Sequence, residues 1–253
     1  MPLLLTGEDG CTLYSIMTDR YLKIMKNDLD LQSIENIWFR PSFGRGAGPK
    51  IKEEEKGYSG FGESDAIIIA KDASGRKNIV FLESKKGNIN SEKSMRDLRY
   101  QFFLKMALIY GIKHPAKKKM GIKKTEKTYY CVELNDSNSP ISKILYKYYK
   151  EYKNNASSER RNGWMILKNS PSSPALVEIE NILENSKDNL SFSFYALGFN
   201  NNIESIDPID DLFKDTDLLP NEIKELFSIN GSLKIVFRNI KMGSDTLKLA
   251  LPT

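Results

Sequence analysis

Residues 64–85 read SDAIIIAKDASGRKNIVFLESK, and this stretch decides the fold. Asp65 to Lys71 carries three consecutive isoleucines, Asp72 to Arg76 is turn chemistry, and Lys77 to Lys85 is again apolar at its centre. Two such runs joined by a short glycine-containing turn predict a β-hairpin. Ile67, Ile69, Ile79 and Phe81 fall on one face, and Ile68, Val80 and Leu82 on the other. A hairpin that is apolar on both sides belongs inside a sheet covered on both sides. A turn centred on Ser74 sets Asp65 opposite Glu83, where directly paired Cβ atoms lie about 4.5–5.5 Å apart. Lys85, two residues on, points to the same face as Glu83. Two carboxylates and an amine therefore meet at the open end of the hairpin. Carboxylates this close repel unless a cation lies between them. Mg²⁺ suits such a place, because it takes one or two protein carboxylates, keeps several waters and accepts a phosphate oxygen. It polarises a phosphoryl group, and an adjacent Lys85 is placed to orient water or offset developing charge.

Working outward, Leu13, Ile16, Met17, Tyr21 and Ile24 recur at three- and four-residue steps and predict a helix over Leu13–Met25. A second helix is expected from Leu29 to Phe39, ended by Pro41. From Pro41 to Gly62 the glycines around Arg45 and the Gly57-Tyr58-Ser59-Gly60 stretch predict a long loop. After the hairpin, Ser91 is an N-cap for a helix to Tyr110, with Met95, Leu98, Phe102, Met106 and Ile109 as its buried stripe and Gly111 as its stop. The Lys113–Lys127 run, seven lysines and one glutamate, would add salt-dependent phosphate contacts to a nucleic-acid partner, and by itself reads as a solvated turn. Further strands are expected at 128–134, 164–167, 191–197 and 233–237, and further helices at 141–152, 176–185 and 220–227.

The chain has 253 residues, 40% of them apolar and 28% charged, which is globular composition. A single histidine, His114, and two cysteines, Cys11 and Cys131, exclude a disulfide framework, a zinc finger and a two-histidine nuclease motif. The net charge of +5 is uneven: residues 1–135 hold 24 basic and 17 acidic side chains, residues 136–253 hold 14 and 16. A basic first half suggests a polyanion partner. No signal-peptide pattern and no long apolar run is present, so the expected location is cytoplasmic.

Ser64-Asp65, the hairpin and Glu83-Ser84-Lys85 resemble the active-site signature of the PD-(D/E)xK nuclease superfamily, with serine where the signature has proline. The resemblance covers roughly Glu63 to Leu134. It implies an α/β fold with a restriction-endonuclease-like core, a mixed β-sheet flanked by helices. It also implies Mg²⁺-dependent hydrolysis of DNA phosphodiesters, with Mn²⁺ as a substitute. By the match, Asp65 and Glu83 bind the metal, the Ser84 carbonyl adds a ligand, and Lys85 is catalytic. Relatives use a further acid from the helix before the first core strand. Glu35 is the first choice here, with Glu8 and Glu63 behind it and a plain surface glutamate as the alternative. Some relatives carry a glutamine on the helix after the motif. Gln101 stands there, with Lys105 where those relatives have tyrosine. Arg40, Arg45 and Lys50 in the glycine-rich loop, with Lys86 and Gln101, are the DNA-contacting candidates.

The expected organisation is a nuclease core over 1–135 and a C-terminal α+β extension or accessory domain over 136–253. The expected function is a DNA endonuclease of type II restriction character, acting on duplex DNA. Such enzymes are often homodimers, since a twofold site is cut on both strands. The competing class is a non-catalytic DNA-binding or assembly protein on the same fold. A repair or RNA-processing nuclease is a third.

Overall fold

The computed structural model describes residues 3–5, 12–13, 15–44, 57–86, 91–120, 125–133, 141–143, 145–147, 161–168, 174–186, 190–200, 233–241 and 247–249. The hairpin forms as expected. Strands β4 (Ala66–Asp72) and β5 (Lys77–Lys86) pair antiparallel, and Ala66↔Leu82 continues the register that faces Asp65 toward Glu83. Gly75 holds φ +81° in the turn, where a Cβ is strained. The Asp72 carboxylate closes that turn on the backbone N–H groups of Ser74 and Arg76 at 2.9 and 3.0 Å.

The hairpin lies inside a five-stranded sheet. Its order is β10 (Leu233–Lys241), β9 (Leu190–Asn200), β5, β4, β2 (Leu31–Phe39). β5 and β9 run parallel, as do β9 and β10, while β4 is antiparallel to both neighbours. Both faces are covered, as the two-sided apolar pattern requires. Ile68, Val80 and Leu82 pack with Met25 and Leu29 of helix α1 (Asp19–Leu29). Ile67, Ile69, Ile79 and Phe81 pack against helix α2 (Glu92–Lys113).

Helix α2 is the centre of the molecule. Ser91 caps it, its Oγ accepting from the Ser94 N–H at 3.2 Å. Expected to bury one stripe, it is buried on nearly every side from Leu98 to Ile112. Its far side meets a second, four-stranded mixed sheet of order β3 (Gly57–Ser59), β8 (Arg161–Leu167), β7 (Thr125–Glu133), β6 (Ala116–Met120). Tyr130, Val132, Trp164 and Ile166 of this sheet join the same core. Helix α3 (Pro174–Asn185) adds Leu176 and Ile179. Leu3–Leu5 (β1) and Leu247–Leu249 (β11) form a separate antiparallel pair.

Several expectations need correction. Leu29–Phe39 is not a helix. Leu31, Ile34 and Ile37 face the α1 side at three-residue spacing because β2 carries irregularities between Leu31 and Ser33 and between Ile34 and Asn36. Each extra residue shifts the two-residue alternation of a strand, and two shifts imitate a helix. Gly111 does not stop α2, which runs to Lys113. A Cβ at Gly111 would come within 3.1 Å of the Cys131 nitrogen, so this glycine serves helix-to-sheet contact. Part of the lysine run expected as a turn is strand β6. Strands from beyond residue 135 complete both sheets, β8 in one and β9 and β10 in the other. The helix expected at 220–227 lies outside the described residues. Among the described residues no helix is long and apolar enough to cross a membrane.

Candidate functional site

β4 ends at Ala66 while β5 runs on to Lys86 beside β9, with Glu83↔Ala196 and Lys85↔Gly198 in register. Past Leu82, the edge of β5 is therefore open on the β4 side. The chain entering β4 bends there and is held from both flanks. The Arg40 N–H donates to the Asp65 carbonyl at 2.9 Å, and the Ser64 N–H to the Pro41 carbonyl at 3.1 Å. Arg40 takes this position at φ +49°, a left-handed conformation costly for a residue with a Cβ.

Asp65 turns its carboxylate onto β5, where Oδ2 accepts the Ser84 N–H at 2.6 Å. The N–H and C=O of one strand residue project to the same side. The Ser84 carbonyl therefore faces the edge that β4 has vacated. Glu83 is buried, with 4% of its surface exposed, and alternates onto the α2 side with Phe81. Its Oε1 accepts from Ser64 Oγ at 3.1 Å and faces the Lys105 ammonium at 3.5 Å. Burial pushes the Glu83 carboxyl up to about 7; Lys105 opposes this, and the Asp65 charge adds to it. Lys85 shares the face of Glu83 and also draws its carboxyl down.

Sequence reasoning named Lys105 only as a departure from tyrosine and gave it no role. It is 1% exposed and comes from the middle of α2. Besides Glu83 it meets the Glu63 carbonyl and Gln101 Oε1, the latter at 3.1 Å. Burial pulls its ammonium below the usual range, and Glu83 opposes that pull. The signal was present: 98, 102, 105 and 109 follow helical spacing, so one charge interrupts an apolar stripe. The Ser64 hydroxyl was likewise noted only as a departure from proline.

The remaining candidates divide. Gln101 is brought to the cluster through Lys105. Arg40 stands at its rim, paired with Glu63 at 3.1 Å. Glu35 is elsewhere: it lies on β2, not on a helix, and binds Lys71 and Lys77 at the turn end of the hairpin. Those two ammonium groups hold its carboxyl below the usual range. Strand register carries it away from Asp65, so it does not supply a third acid to this cluster. Lys86 is the last residue of β5, and its side chain is outside the described set. Arg45, Lys50 and Glu8 lie wholly outside the described residues.

The donor set is hard oxygen: two carboxylates and one carbonyl. It suits Mg²⁺ or Mn²⁺, which complete their shells with water, better than a soft metal. Among the described residues no group of three or more His, Cys, Asp or Glu side chains gathers into a cage. Comparison of the chain with family models, with curated proteins and with solved structures finds no match.

Proposed function

We propose that this protein is a Mg²⁺-dependent DNA endonuclease of the PD-(D/E)xK kind, with Asp65, Glu83 and the Ser84 carbonyl as metal ligands and Lys85 as the catalytic lysine. One observation carries the reading: Asp65 and Glu83 converge where β4 ends, tied by the bond from the Ser84 N–H to Asp65 Oδ2 at 2.6 Å. The resemblance and the oxygen-only donors support the same reading. Bound there, Mg²⁺ supplies polarisation of a phosphoryl oxygen and a more acidic water.

The chain's own groups do the rest. Asp65 is oriented by the Ser84 N–H and Glu83 by Ser64 and Lys105. Lys85, on the face of Glu83, offsets charge that builds on the phosphoryl oxygens. Arg40 at the rim is placed to meet a DNA phosphate, and duplex DNA is the proposed substrate.

The test is plasmid cleavage with Mg²⁺ or Mn²⁺, beside Asp65→Asn, Glu83→Gln and Lys85→Met, with RNA as a competitor. Cleavage by the wild type that each variant loses is the expected result. A second reading has one observation in its favour. Lys105 already neutralises Glu83 without any metal, as it would in a non-catalytic DNA-binding protein on this fold. DNA binding without cleavage under either metal decides for that reading.

A further inference from the structure

We propose that Lys105 is a positioning residue that fixes the Glu83 carboxylate for cation binding; this rests on the metal-dependent reading above. A lysine almost never lies fully buried without a partner, and the cost of burying its charge is large. Around it are Phe81, Phe102, Met106 and Ile109, where an unbranched apolar side chain fits without that cost. Replacing a buried ion pair by apolar groups of similar volume is often neutral or stabilising, so packing alone does not account for this ammonium.

Its contacts do. They reach three separate pieces of chain: Gln101 one turn earlier on α2, the Glu63 carbonyl just before Ser64-Asp65, and Glu83 on β5. One ammonium thus ties the segment that delivers Asp65 to the strand that delivers Glu83. The contact on Glu83 is also selective. Ser64 Oγ and Lys105 Nζ both address Oε1, at 3.1 and 3.5 Å. A carboxylate held by one oxygen from the helix side offers its other oxygen, Oε2, to a cation shared with Asp65. Groups that orient ligands in this way typically carry about 10–100-fold in metal affinity.

The experiment is Mn²⁺ titration of the full chain by calorimetry, with thermal midpoints measured alongside. Lys105→Met fills the volume and removes the ammonium. Lys105→Gln keeps an N–H donor and drops the charge. The expected order of Mn²⁺ affinity is wild type, then Lys105→Gln, then Lys105→Met, with the last about 10–100-fold weaker and its midpoint at or above that of the wild type. Equal or tighter Mn²⁺ binding by folded Lys105→Met or folded Lys105→Gln overturns the inference and leaves the nuclease reading standing. A wild type that binds no Mn²⁺ and cuts no DNA overturns both.

Discussion

The backbone N–H of Ser84 donates to Asp65 Oδ2 at 2.6 Å, so the strand that carries Glu83 and Lys85 also aims the second carboxylate. A bond from a main-chain donor survives any side-chain change at Ser84 other than proline, which removes the N–H. Ser84→Ala is therefore expected to keep the cluster, whereas Asp65→Asn keeps the shape and loses the charge. In a nicking assay Ser84→Ala stays within a few-fold of wild type. Asp65→Asn and Lys85→Met each fall by about 10²–10³-fold, the range for removing one electrostatic stabiliser. A Lys85→Met variant with unchanged turnover removes that residue from the mechanism.

Glu83 gives the metal-free protein a defined pH response. Its folded-state value, about 7, lies above its ordinary value of 4.5. Stability from this group is complete below the lower value and is lost as pH rises through the upper one. The thermal midpoint in chelator falls across that window, and Glu83→Gln flattens the fall. Mn²⁺ competes with the same proton, so its affinity rises by about tenfold per pH unit below the upper value and levels off above it. A pH-independent affinity contradicts this assignment.

Glu35→Ala separates the turn end of the hairpin from the cluster. Glu35 loses only its half-exposed partners Lys71 and Lys77, a change of about 1 kcal/mol or less. Mn²⁺ affinity and cleavage should match wild type. A loss of metal binding would bring Glu35 back as a ligand.

Two glycines make a paired test of the fold. At Gly163, φ is +154° and a Cβ would stand 2.1 Å from the Val132 carbonyl oxygen, inside the pairing of β7 with β8. Gly163→Ala is expected to cost about 3 kcal/mol or more in chemical denaturation. At Gly75, φ is +81° with nothing within 4 Å, so Gly75→Ala costs only about 1 kcal/mol, from the backbone alone. Equal costs at the two positions would contradict the described packing of β7 on β8.

What could be read from the sequence was local. The hairpin, its register and the meeting of Asp65 with Glu83 follow from a five-residue turn between two short apolar runs. β2 was not legible, because its two irregularities give Leu31, Ile34 and Ile37 a helical spacing. Lys105 was not legible as part of the site, because its partners come from positions 63 and 83, far along the chain. Nor could periodicity reveal that α2 sits between two sheets, since that depends on how strands from before and after it in the chain assemble.

The placement of β5 also bears on how the molecule assembles. One neighbour, β4, is reached through a short turn, but the other, β9, arrives more than a hundred residues later. Closing a loop of that length is slow compared with forming a hairpin. Among the described residues the segment from Glu83 to Lys86 pairs with β9 alone. On a growing chain the two acids meet early, but β5 lacks its second neighbour until residues 190–200 dock, so the cluster becomes rigid late in folding.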